Sequence, residues 1–195
     1  MTDARREAES KAESKAEIDR LAELANVGAG HAAAAFAQLV GETIRIEPPV
    51  VVVGGGPPAA PKPIGQVEWC TGVFFEFEGC LDAVVGILFP GASSERLVRR
   101  IVGIESGELA PAMIESALME VGNILASHVA SAIADTLRER LLPSIPSLAM
   151  DDAEGALATW IEDRVGADAP RIESQLHDDR FELRGRLILV PTRWP

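Results

Sequence analysis

The chain of 195 residues has few bases: 18 lysines and arginines stand against 30 acids, a formal net charge of −12. Nucleic-acid binding needs a basic surface to neutralise phosphates, and this composition excludes it as an expectation. Cysteine is scarce as well. Cys70 and Cys80 have neither metal-type spacing nor a histidine beside them, so both read as core thiols. No apolar run reaches the roughly 18 residues of a membrane span, and the charged start MTDARREAESKAESKAE is not a secretory signal. A cytoplasmic protein without membrane insertion is expected.

Several kinds of catalytic apparatus are missing too. There is no Ser/His/Asp arrangement, and His31, His128 and His177 are too scattered to mark a metal site. Gly28 and Gly30 fall inside a helical pattern rather than between a strand and a helix, so they form no phosphate-binding loop.

At 47% hydrophobic residues the chain can bury a core, and its length suits one domain. Residues 1–17, which repeat AESK, are expected as a charged tail or helical extension, and 18–195 as the domain proper. From Ile18 to Val40, Leu21, Ala25, Ala32, Phe36 and Leu39 make an apolar stripe at helical spacing, and Gly41 ends it. Strand-like runs follow at 43–53, 67–79 and 81–89, broken by a Gly/Pro loop at 54–63 and a turn at Glu78-Gly79. A short helix is predicted at about 92–102. A second long one runs from Pro111 to about Leu141, with Arg138 and Arg140 in its last turns. Strand-like segments recur at 144–150, 171–179 and 181–191.

The order looks duplicated, and one pattern carries that reading. Asp19, Glu23, Asn26 and Pro49 recur as Ser116, Glu120, Asn123 and Pro146, each 97 residues later. The pattern is [Asp/Ser]-x3-Glu-x2-Asn-x22-Pro, and it predicts pseudo-repeats over 18–103 and 108–195. A helix turns about 100° per residue, so Asp19, Glu23 and Asn26 share a stripe about 140° from the apolar one. Ser116, Glu120 and Asn123 share one likewise, with Leu118, Leu125 and Val129 turned away.

The rest of each polar face is small: Gly30, Ala33, Ala34 and Ala37 on the first helix, Ser127, Ala130, Ser131 and Ala134 on the second. A solvated face is normally rich in Lys and Glu, so small residues point to close docking of a partner, or to packing of these faces on one another. An asparagine is no base near neutral pH. Its amide can nevertheless orient a water through one donor and one acceptor, as the glutamine of GTPases does. The two prolines read as structural residues entering strands.

In ELANVGAGHAAAAFAQLVG (23–41) and ALMEVGNILASHVASAIAD (117–135), the chain resembles the CheC/CheX/FliY phosphatases, over about 175 residues. The resemblance implies an α+β fold with pseudo-twofold symmetry, a central antiparallel or mixed sheet covered by paired long helices. It implies hydrolysis of the aspartyl phosphate of a CheY-like response regulator in chemotaxis. Asn26 and Asn123 would position the attacking water, and Glu23 and Glu120 would pair with the regulator's lysine. Asp19 and Ser116 would support or dock. No cofactor of its own is implied; Mg²⁺ would sit on the regulator. Two motifs favour the CheC type over the one-site CheX type. The alternatives are a non-catalytic adaptor that captures the phosphorylated regulator or a CheD-type receptor deamidase, and a structural flagellar component. Departures from the pattern are mild: Ala25 and Val27 stand where the second helix has Gly122 and Ile124.

Overall fold

A computed structural model describes residues 3–52, 68–166 and 169–193, with side chains described from Lys15 onward. The first long helix, α1, spans Asp3–Val40. The residues expected as a tail or extension thus continue it in helical form from Asp3. Gly41 takes the left-handed φ of 68° that closes the helix, which a residue without Cβ adopts at little cost. The run at 43–53 divides into β1 (Ile44–Ile46) and β2 (Val50–Val52), with Pro49 immediately before β2. The Gly/Pro loop expected at 54–63 lies outside the described residues. β3 (Thr71–Gly79) and β4 (Ala83–Phe89) form an antiparallel hairpin, and α2 (Gly91–Val102) follows.

The second half opens with α3 (Pro111–Leu137), which has proline in its first turn. It stops four residues before the expected end. Arg138 caps it in the left-handed region, no basic residue occupies its last turn, and Leu141–Pro143 forms strand β5. The dipole role expected for Arg138 and Arg140 therefore falls away. β6 (Ser147–Ala149) begins directly after Pro146. Then comes a helix the sequence reading lacked, α4 (Ala153–Val165), followed by β7 (Arg171–Asp178) and β8 (Arg184–Pro191).

The eight strands make one antiparallel sheet in the order β1-β7-β8-β4-β3-β5, with β2 also on β7 and β6 also on β3. This order is palindromic. The short strands of each half pair with the first long strand of the other half, and β8 meets β4 at the centre. The bounds of β1 and β2 recur in β5 and β6 at the same interval of 97 residues that separates the motifs. The architecture is a pseudo-twofold α+β fold with an antiparallel sheet beneath two long helices. Because each half's outer strands complete the other half's sheet, neither half has a full set of backbone partners alone.

α1 and α3 cover one face of the sheet. The main core lies between, with Phe36, Phe75, Phe77, Phe89, Leu118 and Leu125 fully buried. By length and composition α3 would suffice to cross a membrane, at mean hydropathy 1.3. Here 56% of that stretch is buried in the protein, because α3 is the core helix over β3 and β5. The other face carries a second cluster, in which Leu157 and Ile161 of α4 pack with Phe74, Val84, Leu88 and Ile188. Asp152 caps α4 by accepting a hydrogen bond from Gly155 N at 2.9 Å.

Two helical glycines make contrasting predictions. A Cβ on Gly122 would lie 2.8 Å from Val73 Cβ in β3, so α3 sits on the sheet too closely for a methyl. Gly122→Ala should lose about 1–3 kcal/mol through overpacking, against which a better helix former returns less than about 1. A Cβ on Gly30 meets nothing within 4 Å. Gly30→Ala should therefore gain about 0.5–1 kcal/mol. Urea midpoints of the two variants should move in opposite directions.

Candidate functional site

Both motifs lie on the two covering helices, where the sheet-facing side is buried. On α1, Leu21, Leu24, Ala25, Ala29, Ala32 and Phe36 are buried, whereas Asp19, Glu23 and Asn26 are exposed. On α3, Leu118, Val121, Leu125 and Val129 are buried, whereas Ser116, Glu120 and Asn123 are exposed. The helical azimuths are thus realised: burial of one arc fixes what the opposite arc presents to solvent.

The helices run antiparallel. One cleft brings Leu21 and Leu24, early in α1, beside Leu137 at the end of α3. At mid-helix a Cβ on Gly28 would come within 2.9 Å of Val129 Cγ1, so a missing side chain lets the two helices approach. Asn26 precedes Gly28 on α1 and Asn123 precedes Val129 on α3, so the antiparallel pairing carries the two to opposite sides of this close contact. The arrangement is two separate Glu/Asn pairs, not one composite cluster.

The small-residue faces behave in two ways. Gly30, Ala34, Ser127 and Ser131 are exposed beside the motif residues. Ala33 and Ala130, equivalent by the 97-residue interval, are only 5% and 2% exposed. These two were expected on the open face. They are buried instead, so part of each small-residue face packs inside the protein.

Glu23 and Glu120 form no ion pair among the described residues. A carboxylate held in water without a partner retains its full capacity to meet an incoming cation. Each neighbouring amide offers a donor and an acceptor that are free for water. Among the described residues, no group of three or more His, Cys, Asp or Glu is placed to hold a metal ion.

A second polar cluster lies on the opposite sheet face. Arg186, 4% exposed in its side chain, pairs with Glu154 and lies 3.5 Å from Glu173. Arg171 reaches Glu173 at 2.7 Å, and Arg186 lies over the Trp69 ring at 4.5 Å. These charges offset one another across the strands, so the cluster reads as structural. The sequence reading had no signal for it, because its members come from three distant segments.

The comparisons with known proteins fall on the same residues. The model of the CheC-like family matches residues 17–53 and 113–148, segments that hold the two motifs with their prolines. Over these two segments the chain is similar to the CheC-like family. It is 28% identical over 192 residues to the CheY-P phosphatase CheC of Bacillus subtilis, covering 90% of this chain and 88% of that one. Among solved structures, FliY of Thermotoga maritima superposes with a TM-score of 0.65 at 15% identity, over 89% of this chain and 88% of that one. CheX in the CheX–CheY–BeF3–Mg²⁺ complex of Borrelia burgdorferi superposes at 0.60 and 13% identity, over 85% and 96%. The fold is common to the CheC, CheX and FliY types.

Both cysteines are free and half-buried; Cys80 packs against the main core, as expected in part, and Cys70 is in neither core cluster. Partial burial pushes the Cys80 thiol up from its ordinary pKa, and the Glu139 carboxylate adds to the shift. Thiolate, the reactive form, is therefore scarcer at a given pH. In a Cys70→Ala background, Glu139→Gln should lower the Cys80 pKa, so iodoacetamide alkylation at pH 8 should speed up. An unchanged or slower rate would contradict the carboxylate's part in the shift.

Proposed function

We propose that this chain hydrolyses the aspartyl phosphate of a CheY-like response regulator, with Glu23 and Asn26 forming one site and Glu120 and Asn123 the other. The observation that carries this is the pair of exposed, unpaired Glu/Asn sets on helices whose opposite arcs are buried. The B. subtilis relative, named as a CheY-P phosphatase, supports the reaction class, and the CheX–CheY complex supports the kind of partner. The partner brings its own activated group and Mg²⁺, so this chain has little covalent chemistry to supply. Its contribution is position.

In the proposed step, Glu23 or Glu120 binds the regulator's active-site lysine by a charge-assisted hydrogen bond and fixes the register of docking. Asn26 or Asn123 then accepts a hydrogen bond from a water through its carbonyl, while its NH2 group donates toward the phosphoryl oxygens. Held in line, the water oxygen attacks phosphorus and the bond from phosphorus to the aspartate oxygen breaks. The carboxylate leaves with the electron pair, and the water's proton passes to the phosphate or solvent. Asp19 and Ser116, one turn before each Glu, extend the docking face. The pseudo-repeats take the bounds 18–103 and 108–195, and the reaction is placed in the cytoplasm, where such regulators signal.

Phosphate release from the phosphorylated regulator tests this reading. Asn26→Ala and Asn123→Ala should each remove only their own site's share of the rate. The double variant should fall to the regulator's intrinsic rate, a loss of about 100-fold for an unpositioned water. Near-total loss in each single variant would mean one composite site. An active, folded double variant would remove the asparagines from the mechanism. Binding with no acceleration by the wild-type chain would favour the adaptor reading.

A further inference from the structure

The two docking faces differ at the strand corner beside each motif. Moved by 97 residues, Arg45, Glu47 and Pro48 around the β1–β2 corner become Leu142, Ser144 and Ile145 around the β5–β6 corner. The corners are held alike. Glu47 N donates to Gln175 O at 2.8 Å, and Ser144 N donates to Glu76 O at 2.8 Å. What they present differs in kind. Arg45 pairs with Asp179, and Glu47 Oε1 lies 3.4 Å from His177 Nε2. Leu142 and Ile145 are 57% and 87% exposed, and no large hydrophobic side chain among the described residues is more open than Ile145.

The apolar corner is fixed in place. Glu76 N returns a hydrogen bond to Ser144 Oγ at 3.0 Å, so the residue before Ile145 is tied to β3 twice. The corner also lies beside the second motif. Gly122 rests on Val73 of β3, and Val73 pairs with Leu148 of β6. Ile145 is three residues from Leu148, at most about 10 Å along the chain. β5 and β6 form the sheet edge under α3, whereas α1 covers β1, β2 and β7. Asn123, next after Gly122, is exposed on the same helix. A stable interface covers about 800 Å² of each partner, a patch roughly 30 Å across. A protein seated on Glu120 and Asn123 therefore reaches this corner, where two aliphatic side chains gain by leaving water.

We propose that a CheY-like regulator docked at the second face buries Ile145 and Leu142 against an apolar spot of its own, a contact that the first face replaces with the charged Arg45 and Glu47. The occupant rests on the phosphatase reading, and the inference adds what each face recognises. The second face combines a carboxylate for the regulator's lysine with an aliphatic anchor. The first combines the same carboxylate with a charged corner, whose exposed ion pairs are worth little in water. The two faces are thus equal in their motif and unequal in their corner.

Isothermal titration with a CheY-like regulator activated by beryllofluoride and Mg²⁺ tests this on full-length chains. Glu23→Lys isolates the second face and Glu120→Lys the first. Ile145→Ser should weaken binding at the second face at least fivefold and change the first less than twofold, whereas Ile145→Leu should preserve the second. Unchanged affinity of Ile145→Ser at the second face would overturn the inference and leave the phosphatase reading standing. A wild-type chain that neither binds the regulator nor shortens the life of its aspartyl phosphate would overturn that reading, and this inference with it. Sedimentation of the wild-type chain without regulator checks one other occupant. A dimer that Ile145→Ser disperses would assign the corner to a second copy and overturn the regulator contact.

Discussion

The close antiparallel contact of α1 and α3 over a single sheet is the constraint on which the rest depends. Gly28 admits Val129, Gly122 admits Val73, and Ala33 and Ala130 are buried. Small residues permit this approach because interiors are packed to crystal-like density and tolerate little added volume. Once each helix is pressed onto the sheet, rotation about its axis is fixed. The arc that carries the Glu/Asn pair must then face water, and must do so rigidly. A site that works by positioning a water needs that rigidity more than it needs reactive groups.

The sheet enforces the same economy. β1 and β2 complete β7, and β5 and β6 complete β3, so each half is closed by strands of the other. The two halves are thereby locked together, and the two motifs lie on opposite sides of the close contact between α1 and α3. Departures from the symmetry are as informative as the symmetry. α2 follows β4 and packs into the main core, whereas α4 lies between β6 and β7 in sequence and packs on the other face of the sheet.

The candidate site was legible in the sequence because its spacing is a helical quantity. Glu-x2-Asn and the preceding four-residue step place side chains on one arc, and the buried stripe confirms which arc. The same interval of 97 residues relates β1 to β5 and β2 to β6, although the sequence reading gave no strand at β5. What escaped lacks a local signal. α4 buries only Ala153, Leu157 and Ile161, and the residues 97 before it in sequence are rich in Gly and Pro, so the repeat gave no cue to a helix. The end of α3 was misread because the apolar run continues from helix into β5, and hydrophobicity alone does not separate a last turn from an edge strand. Ala33 and Ala130 were misplaced for a related reason: spacing shows which residues share a face, but not which of them the rest of the protein covers.

The central claim is that one chain presents two independent docking faces, each anchored by a free glutamate. Binding stoichiometry tests it most directly. Isothermal titration of the full chain with a regulator activated by beryllofluoride and Mg²⁺ should give two regulators per chain. Glu23→Lys and Glu120→Lys should each leave one, because like charge would repel the regulator's lysine at that face alone. A stoichiometry of one that either substitution abolishes would contradict two independent sites.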